Sequence, residues 1–220
     1  MIIHQIFWKL RPLFRSLEQF PRFKFVKEDT ERYCKEHKIG YKLWSKSMVR
    51  DLIKSSYPQY QHHFEYMLNH PVHKFAPLDF ARFLILHSEG GIYIDLDIDI
   101  IKVLPLTWPP LFFASMRGLS PYQAIMGSKK EHPFWLHCAE MSKTSYYKKL
   151  EIEIYKKWKC RFTSQTTGSA LIKRALKKFP DHSLLQIVTT KTRRLTGKTP
   201  GSTNLGADPY FYDTNDFSWA

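Results

Sequence analysis

The chain has 220 residues, 43% of them hydrophobic and 15% aromatic, which fills one domain of ordinary size and leaves little room for a second. Its net charge of +14 is uneven, with 16 Lys and Arg against 12 Asp and Glu in residues 1–105 and 18 against 8 in residues 106–220. The basic half points to a polyanionic partner or an anionic membrane surface, with a solvated basic face as the plain alternative. The composition excludes a repeat protein, a low-complexity segment, an evident signal peptide and a transmembrane helix, so the expected location is cytoplasmic, with peripheral membrane contact left open.

In chain order, residues 1–7 (Met-Ile-Ile-His-Gln-Ile-Phe) are apolar and β-branched and predict a first strand. Residues 23–27 alternate and predict a second strand, and residues 29–38 a polar helix. Tyr41-Lys42-Leu43-Trp44 predicts a short strand. Ser45 or Ser47 then caps a helix running to about residue 56, and residues 57–70 read as helix and loop. Pro77 opens a helix through His87 that Gly90-Gly91 ends. Further on, 112–114 predicts a strand, 132–142 and 168–179 predict helices, and Ile187-Val188 a short strand. Residues 195–220 are rich in Gly, Pro and Thr and predict an irregular tail whose final aromatics dock onto the body. Cys34, Cys138 and Cys160 are odd in number and far apart, so they read as isolated thiols and neither a disulfide framework nor a zinc site.

Residues 92–100 read Ile-Tyr-Ile-Asp-Leu-Asp-Ile-Asp-Ile. As one strand, this places Ile92, Ile94, Leu96, Ile98 and Ile100 on one face and Tyr93, Asp95, Asp97 and Asp99 on the other. Aspartate is disfavoured in strands, and like charges roughly 7 Å apart on one face repel. A hard divalent cation with phosphate ligands would offset that charge. Asp99 is the weakest candidate of the three, since it can equally lie past the site or cap the following turn.

The combination Asp79-Phe80-Ala81-Arg82 followed by Gly90-Gly91-Ile92-Tyr93-Ile94-Asp95-Leu96-Asp97 closely resembles glycosyltransferase family 32, the D-x-D sugar transferases. Ile2-Ile3-His4-Gln5-Ile6 and Tyr41–Trp44 resemble earlier landmarks of that family; Ser128–Phe134 and Thr167-Gly168 resemble weaker later ones. The resemblance is close over residues 2–105 and loose beyond. It implies an α/β fold of GT-A type, a Rossmann-like mixed sheet flanked by helices in a single domain over 1–220. Residues 1–105 would form the nucleotide-sugar-binding half, and 106–220 the acceptor-side half with a C-terminal lid. It implies retaining transfer from a UDP- or GDP-linked sugar to a glycan, lipid-linked or other hydroxyl acceptor, with Mn²⁺ or Mg²⁺, as in polysaccharide biosynthesis.

By position in the resemblance, Asp97 would bind the metal, and Asp95 would serve the ribose and the metal's shell. Asp79 and Arg82 would hold the donor sugar, Arg82 acting with Asp95 and Asp97 in catalysis. Ile6 and Phe7 would lie near the base, although Trp8 competes with Phe7 because relatives carry Trp directly after His-Gln-Ile. Asp213, or alternatively Asp216, would replace a family His as a further metal ligand, and Trp219 would cover the pyrophosphate. Two rival readings stay open. One is a metal-dependent nucleic-acid-binding or nucleotide-processing protein; the other is a non-catalytic sugar- or lipid-head-group-binding relative. No nucleic-acid motif is present, so no nucleic-acid partner is expected.

Overall fold

β1 (Ile2–Ile6) lies inside the sheet, parallel to β2 (Gly40–Trp44) on one side and to β3 (Gly91–Ile94) on the other. A computed structural model describes residues 1–8, 16–70, 74–101, 103–104, 110–116, 121–152, 159–179, 185–192 and 211–213 of the protein. β3 continues antiparallel into β6 (Pro121–Ser128), which pairs with β5 (Leu111–Met116). β5 runs parallel to β7 (Leu185–Thr192), and the sheet closes through β8 (Phe211–Asp213) onto β4 (Ile98–Ile100). The order of the eight-stranded mixed sheet is β2-β1-β3-β6-β5-β7-β8-β4.

Helix α1 (Pro21–Glu36) occupies residues 23–27, where alternation predicts a strand. Phe23, Val26, Thr30 and Cys34 are its buried residues, a three- and four-residue spacing that continues past the alternating stretch. Five residues span little more than one helical turn, too few to separate a helical period from alternation. α2 (Lys46–Ser56) begins as expected, because the Ser45 side chain accepts a hydrogen bond from the Met48 amide. α3 (Gln61–Asn69), α4 (Ala76–Glu89), α5 (Phe134–Leu150), α6 (Lys159–Thr166) and α7 (Ser169–Lys178) complete the described helices.

The sheet separates two apolar clusters. Ile3, Ile92, Ile94, Phe112 and Ile125 pack with Cys34 of α1 on one side. Tyr93, Phe113 and Met126 pack with the buried residues of α2, α4, α5 and α7 on the other. The alternation of Ile92-Tyr93-Ile94 is therefore a strand buried on both faces, with different helices above and below. α4 is the central helix: every residue from Ala76 to Leu86 is buried.

His4 ties the three parallel strands together. Its Nδ1 accepts from Trp44 Nε1 at 3.1 Å and its Nε2 donates to the Gly90 carbonyl at 2.8 Å. Trp44 can only donate and the carbonyl can only accept, which fixes the neutral tautomer. Burial lowers the His4 pKa to about 4. Gly90 and Gly91 turn the chain from α4 into β3 with φ of 67° and 85°. A Cβ would sit 2.4 Å from the Lys130 amide nitrogen at Gly90 and 2.4 Å from the Ile2 carbonyl at Gly91, so only glycine fits either place.

Residues 92–100 do not form one strand. β3 stops at Ile94, the chain turns through Asp95-Leu96-Asp97 with the Ile98 amide bonded to the Asp95 carbonyl at 3.2 Å, and β4 restarts against β8. The strict alternation conceals this break because Leu96 within the turn and Ile98 just after it are both buried. Of the tail, the three residues of β8 are described; Asp216 and Trp219 lie outside the described residues.

Candidate active site

β1, β2 and β3 are parallel, so their carboxyl ends share one edge, and the motif turn leaves from that edge directly after Ile94. Crevices at such edges are the usual ligand sites of open α/β sheets. Two strand-following segments and one helix supply the site: Phe7 after β1, Asp95–Asp97 after β3, and the first turns of α4.

Arg82 is the hub. Its Nη2 lies 2.8 Å from Asp95 Oδ1, its Nη1 lies 3.1 Å from Asp79 Oδ1, and its guanidinium sits 4.8 Å from the centre of the Tyr93 ring. Asp79 and Arg82 are 2% and 6% exposed. Their i, i+3 spacing on α4 brings them together, and Asp79 also lies in the helix's first turn, where the dipole favours an anion. Asp95 is held further by the Tyr93 hydroxyl, which donates to Oδ1 at 2.6 Å, and by its own amide, which donates to the Ala124 carbonyl at 2.8 Å. Gln123 Nε2 donates to Asp79 Oδ1 at 3.3 Å and Thr167 Oγ1 to Asp79 Oδ2 at 3.2 Å. The Arg82 Nε–H is buried with no hydrogen-bond partner among the described residues.

The charges answer to burial first. Burial pushes the Asp79 carboxyl up to about 6, against the downward pull of Arg82 and with a further rise from Asp95. Burial also opposes the Arg82 charge, but Asp95, Tyr93 and Asp79 outweigh it and its pKa is raised. The two ends of the Asp79–Arg82 contact thus respond differently. Burial dominates at Asp79, whereas Arg82 has a second, closer carboxylate in Asp95 and stays charged. Burial raises the Tyr93 phenol well above its usual range, so it remains a donor to Asp95.

The structure brings Asp79, Arg82 and Asp95 into one network and sets Asp97, 9% exposed, two residues further along the same turn. Asp213 enters through its backbone: it is the β8 partner of Ile98, the residue following Asp97. Ile6 is buried and ends β1. Phe7 is half-buried, its amide bonded to the Trp44 carbonyl and its ring 6.2 Å edge-on from Phe20. Trp8 is buried and packs edge-on against Phe64 in the core, so of the two rings Phe7 is the one left toward the surface. Asp99 leaves the group altogether and pairs with Arg22 of α1. Among the described residues, no three His, Cys, Asp or Glu cluster tightly enough to enclose a metal ion. A carboxylate-bearing turn without such a cage suits Mg²⁺ or Mn²⁺, which take one or two carboxylates and complete their shell with phosphates.

Tyr93, Gln123 and Thr167 escaped the sequence reading as site residues. Tyr93 had a signal in its place two before Asp95. Gln123 stands out as a polar residue within the mostly apolar β6, and Thr167 precedes the glycine that opens α7. None of these signals names a partner.

The chain has matches among glycosyltransferases in both sequence and structure. Residues 21–111 match the model of the glycosyltransferase sugar-binding region containing the DXD motif. Over 97 residues the chain is 36% identical to mannosyl phosphorylinositol ceramide synthase SUR1 of Saccharomyces cerevisiae, covering 44% of this chain and 24% of that protein. It is 33% identical over 99 residues to inositol phosphoceramide mannosyltransferase 3 of Schizosaccharomyces pombe, covering 44% of this chain and 26% of that one. The matched stretch is thus about a quarter of the length of these relatives. In structure, it is similar to the PaToxG glycosyltransferase with a TM-score of 0.56 at 17% identity, over 80% of this chain and 67% of that one. The ligand-free glycosyltransferase domain of the YGT toxin gives 0.51 at 9% identity, over 77% of this chain and 56% of that one. The fold is the GT-A fold of these glycosyltransferases, and the match to the DXD-containing sugar-binding region spans residues 21–111 of the 220.

Proposed function

We propose that the protein is a metal-dependent glycosyltransferase that moves a hexose from a UDP- or GDP-linked donor to a hydroxyl of a glycan or lipid-linked acceptor. The observation that carries this reading is the Arg82 bridge, which joins Asp79 of the helix to Asp95 of the motif turn. A buried ion network at the carboxyl edge of the parallel strands, beside a turn that carries a second carboxylate, suits a ligand with a polar sugar at one end and a diphosphate at the other.

Breaking the bond between the anomeric carbon and the diphosphate builds negative charge on the leaving group and positive charge on the ring. A divalent cation, held by Asp97 and Asp213 with Asp95 in its outer shell, would supply the charge that offsets the leaving diphosphate. In this proposal Asp79 accepts hydrogen bonds from sugar hydroxyls, and Arg82 donates to them. Phe7 covers the base, and Trp219 closes over the pyrophosphate and excludes water. Retention of anomeric configuration is part of the proposal, resting on the family resemblance. Because the named relatives carry mannose and inositol phosphoceramide in their names, a mannosyl donor and a lipid-linked acceptor are the first pair to try.

The deciding experiment is a thermal-shift panel of UDP- and GDP-sugars with and without Mn²⁺, since a ligand of the folded state raises its stability. At least one sugar nucleotide should raise Tm only with the metal, and the chain should slowly hydrolyse that donor. Binding of nucleic acid at near-physiological salt, with no response to any sugar nucleotide, would overturn the reading in favour of the basic-surface alternative. Donor binding without hydrolysis or transfer would leave a sugar-binding relative.

A further inference from the structure

We infer that Thr167 and Gln123 are positioning residues for the donor sugar, acting through the Asp79 carboxylate; this rests on the transferase reading above. Both lie beyond residues 21–111, where the family model matches. Thr167 comes from the connection between α6 and α7, and Gln123 from β6.

Asp79 has no freedom of its own to choose an orientation. It is 2% exposed, and rotating its carboxylate would exchange the oxygens that face Arg82 and Thr167. Oδ1 takes Arg82 and Gln123; Oδ2 takes Thr167. Arg82 reaches Asp79 through Nη1 alone, since its Nη2 is taken by Asp95 at 2.8 Å, so it holds one oxygen of the carboxylate and leaves the other to the neutral donors. The two neutral donors decide it. Thr167 is fully buried, and its hydroxyl lies 3.2 Å from both Asp79 Oδ2 and the Thr163 carbonyl. One hydroxyl proton cannot serve both fully. An ionised carboxylate is the stronger acceptor, so the proton goes to Asp79 and the carbonyl keeps the Thr167 amide at 2.9 Å. The backbone of Gln123 is tied to the same network, since its main-chain carbonyl accepts from Arg82 Nη1 at 3.4 Å. The second half of the chain thereby aims a carboxylate that the first half supplies.

The test compares calorimetric affinities for UDP-glucose and GDP-mannose with those for UDP and GDP, all with Mn²⁺, in the full chain. Thr167→Val keeps the shape and removes the donor. It should weaken the sugar nucleotide that the parent prefers by about tenfold, the low end for a hydrogen bond to a charged group, and leave the bare nucleotide unchanged. Thr167→Ser should restore the affinity. Gln123→Leu should give the same selective loss, and it carries the test alone if Thr167→Val does not fold. Equal losses for sugar nucleotide and bare nucleotide, or no loss in either variant, would overturn the inference and leave the transferase reading standing. A parent chain that binds none of the four ligands would overturn that reading and the inference with it.

Discussion

The network beneath α4 and the carboxylate turn beside it are adjacent, yet they are built in opposite ways. Asp79, Arg82 and Tyr93 are buried, held by partners from α4, β6 and the α6–α7 connection, and strongly displaced in pKa. The turn through Asp97 is bounded by β3 and by a β4 of three residues that pairs with an equally short β8. The first region invests in stability to keep charges dry and oriented. The second is a three-residue turn between two short strands, with Asp97 9% exposed. Loss of the buried cation in the first should therefore appear in folding, and loss of the Asp97 carboxylate in ligand binding.

The largest expected effect is on the dry side. Arg82→Ala leaves Asp79 and Asp95 facing each other without their shared cation. Removing one partner of a buried pair typically costs about 3–5 kcal/mol, so urea denaturation should show a loss of that order with or without ligand. A loss below about 1 kcal/mol, the surface-pair range, would erase the contrast between the two regions.

Acid should also strike the packed side. Burial lowers the pKa of His4 to about 4 and that of His63 to about 4, from an ordinary 6.5. Between those values the unfolded chain binds protons that the folded chain refuses. Stability therefore falls as pH falls from 6.5 toward 4, by up to about 3 kcal/mol per histidine. Asp79 works the other way, gaining stability as it protonates below about 6. His63 offers the cleaner check. Its ring lies 5.0 Å from Phe80 and 5.3 Å from Tyr146, and neither ring nitrogen has a hydrogen-bond partner among the described residues. His63→Phe should raise Tm more at pH 5 than at pH 8; an equal rise at both would show that the histidine does not titrate against folding.

These regions also differ in how far the sequence reveals them. Asp79, Arg82, Asp95 and Asp97 are legible because a helix and a strand end fix their spacing within twenty residues, and a two-glycine turn joins them. The break at Asp95–Asp97 is not, because Leu96 and Ile98 continue the alternation through a turn that hydrogen bonding, not hydropathy, creates. Residues 23–27 mislead for the complementary reason: too few residues separate period two from a helical period. Thr167 and Gln123 reach Asp79 across 88 and 44 residues. Only the assembled sheet and helices bring them there, and no local pattern encodes it.

A middle-sized effect belongs to the turn. Asp97→Ala should lower metal-dependent donor affinity by at least about tenfold, roughly 1.4 kcal/mol, while Tm without ligand stays near the parent's. Calorimetry with and without Mn²⁺ separates the outcomes. A variant that binds donor like the parent would remove Asp97 from the metal's shell, and one that unfolds would make the turn as structural as the network.

The smallest effect, and the sharpest division, concerns Asp99. It follows Asp97 at the same two-residue interval, and as sequence it is a third motif carboxylate. In the structure it sits beyond the turn, in β4, and pairs with Arg22 of α1. The side chains of that pair are 32% and 20% exposed, so solvent screens it and its worth is at most about 1 kcal/mol. Asp99→Asn should therefore cost a fraction of that in stability, and Arg22→Ala a similar amount. Because the pair fastens the segment after the motif to α1, and does not face the donor, Asp99→Asn should leave metal-dependent donor affinity within about twofold, a change under roughly 0.4 kcal/mol. A tenfold loss in Asp99→Asn with Arg22→Ala unaffected would place Asp99 among the ligand-facing carboxylates and move the boundary between the two regions past β4.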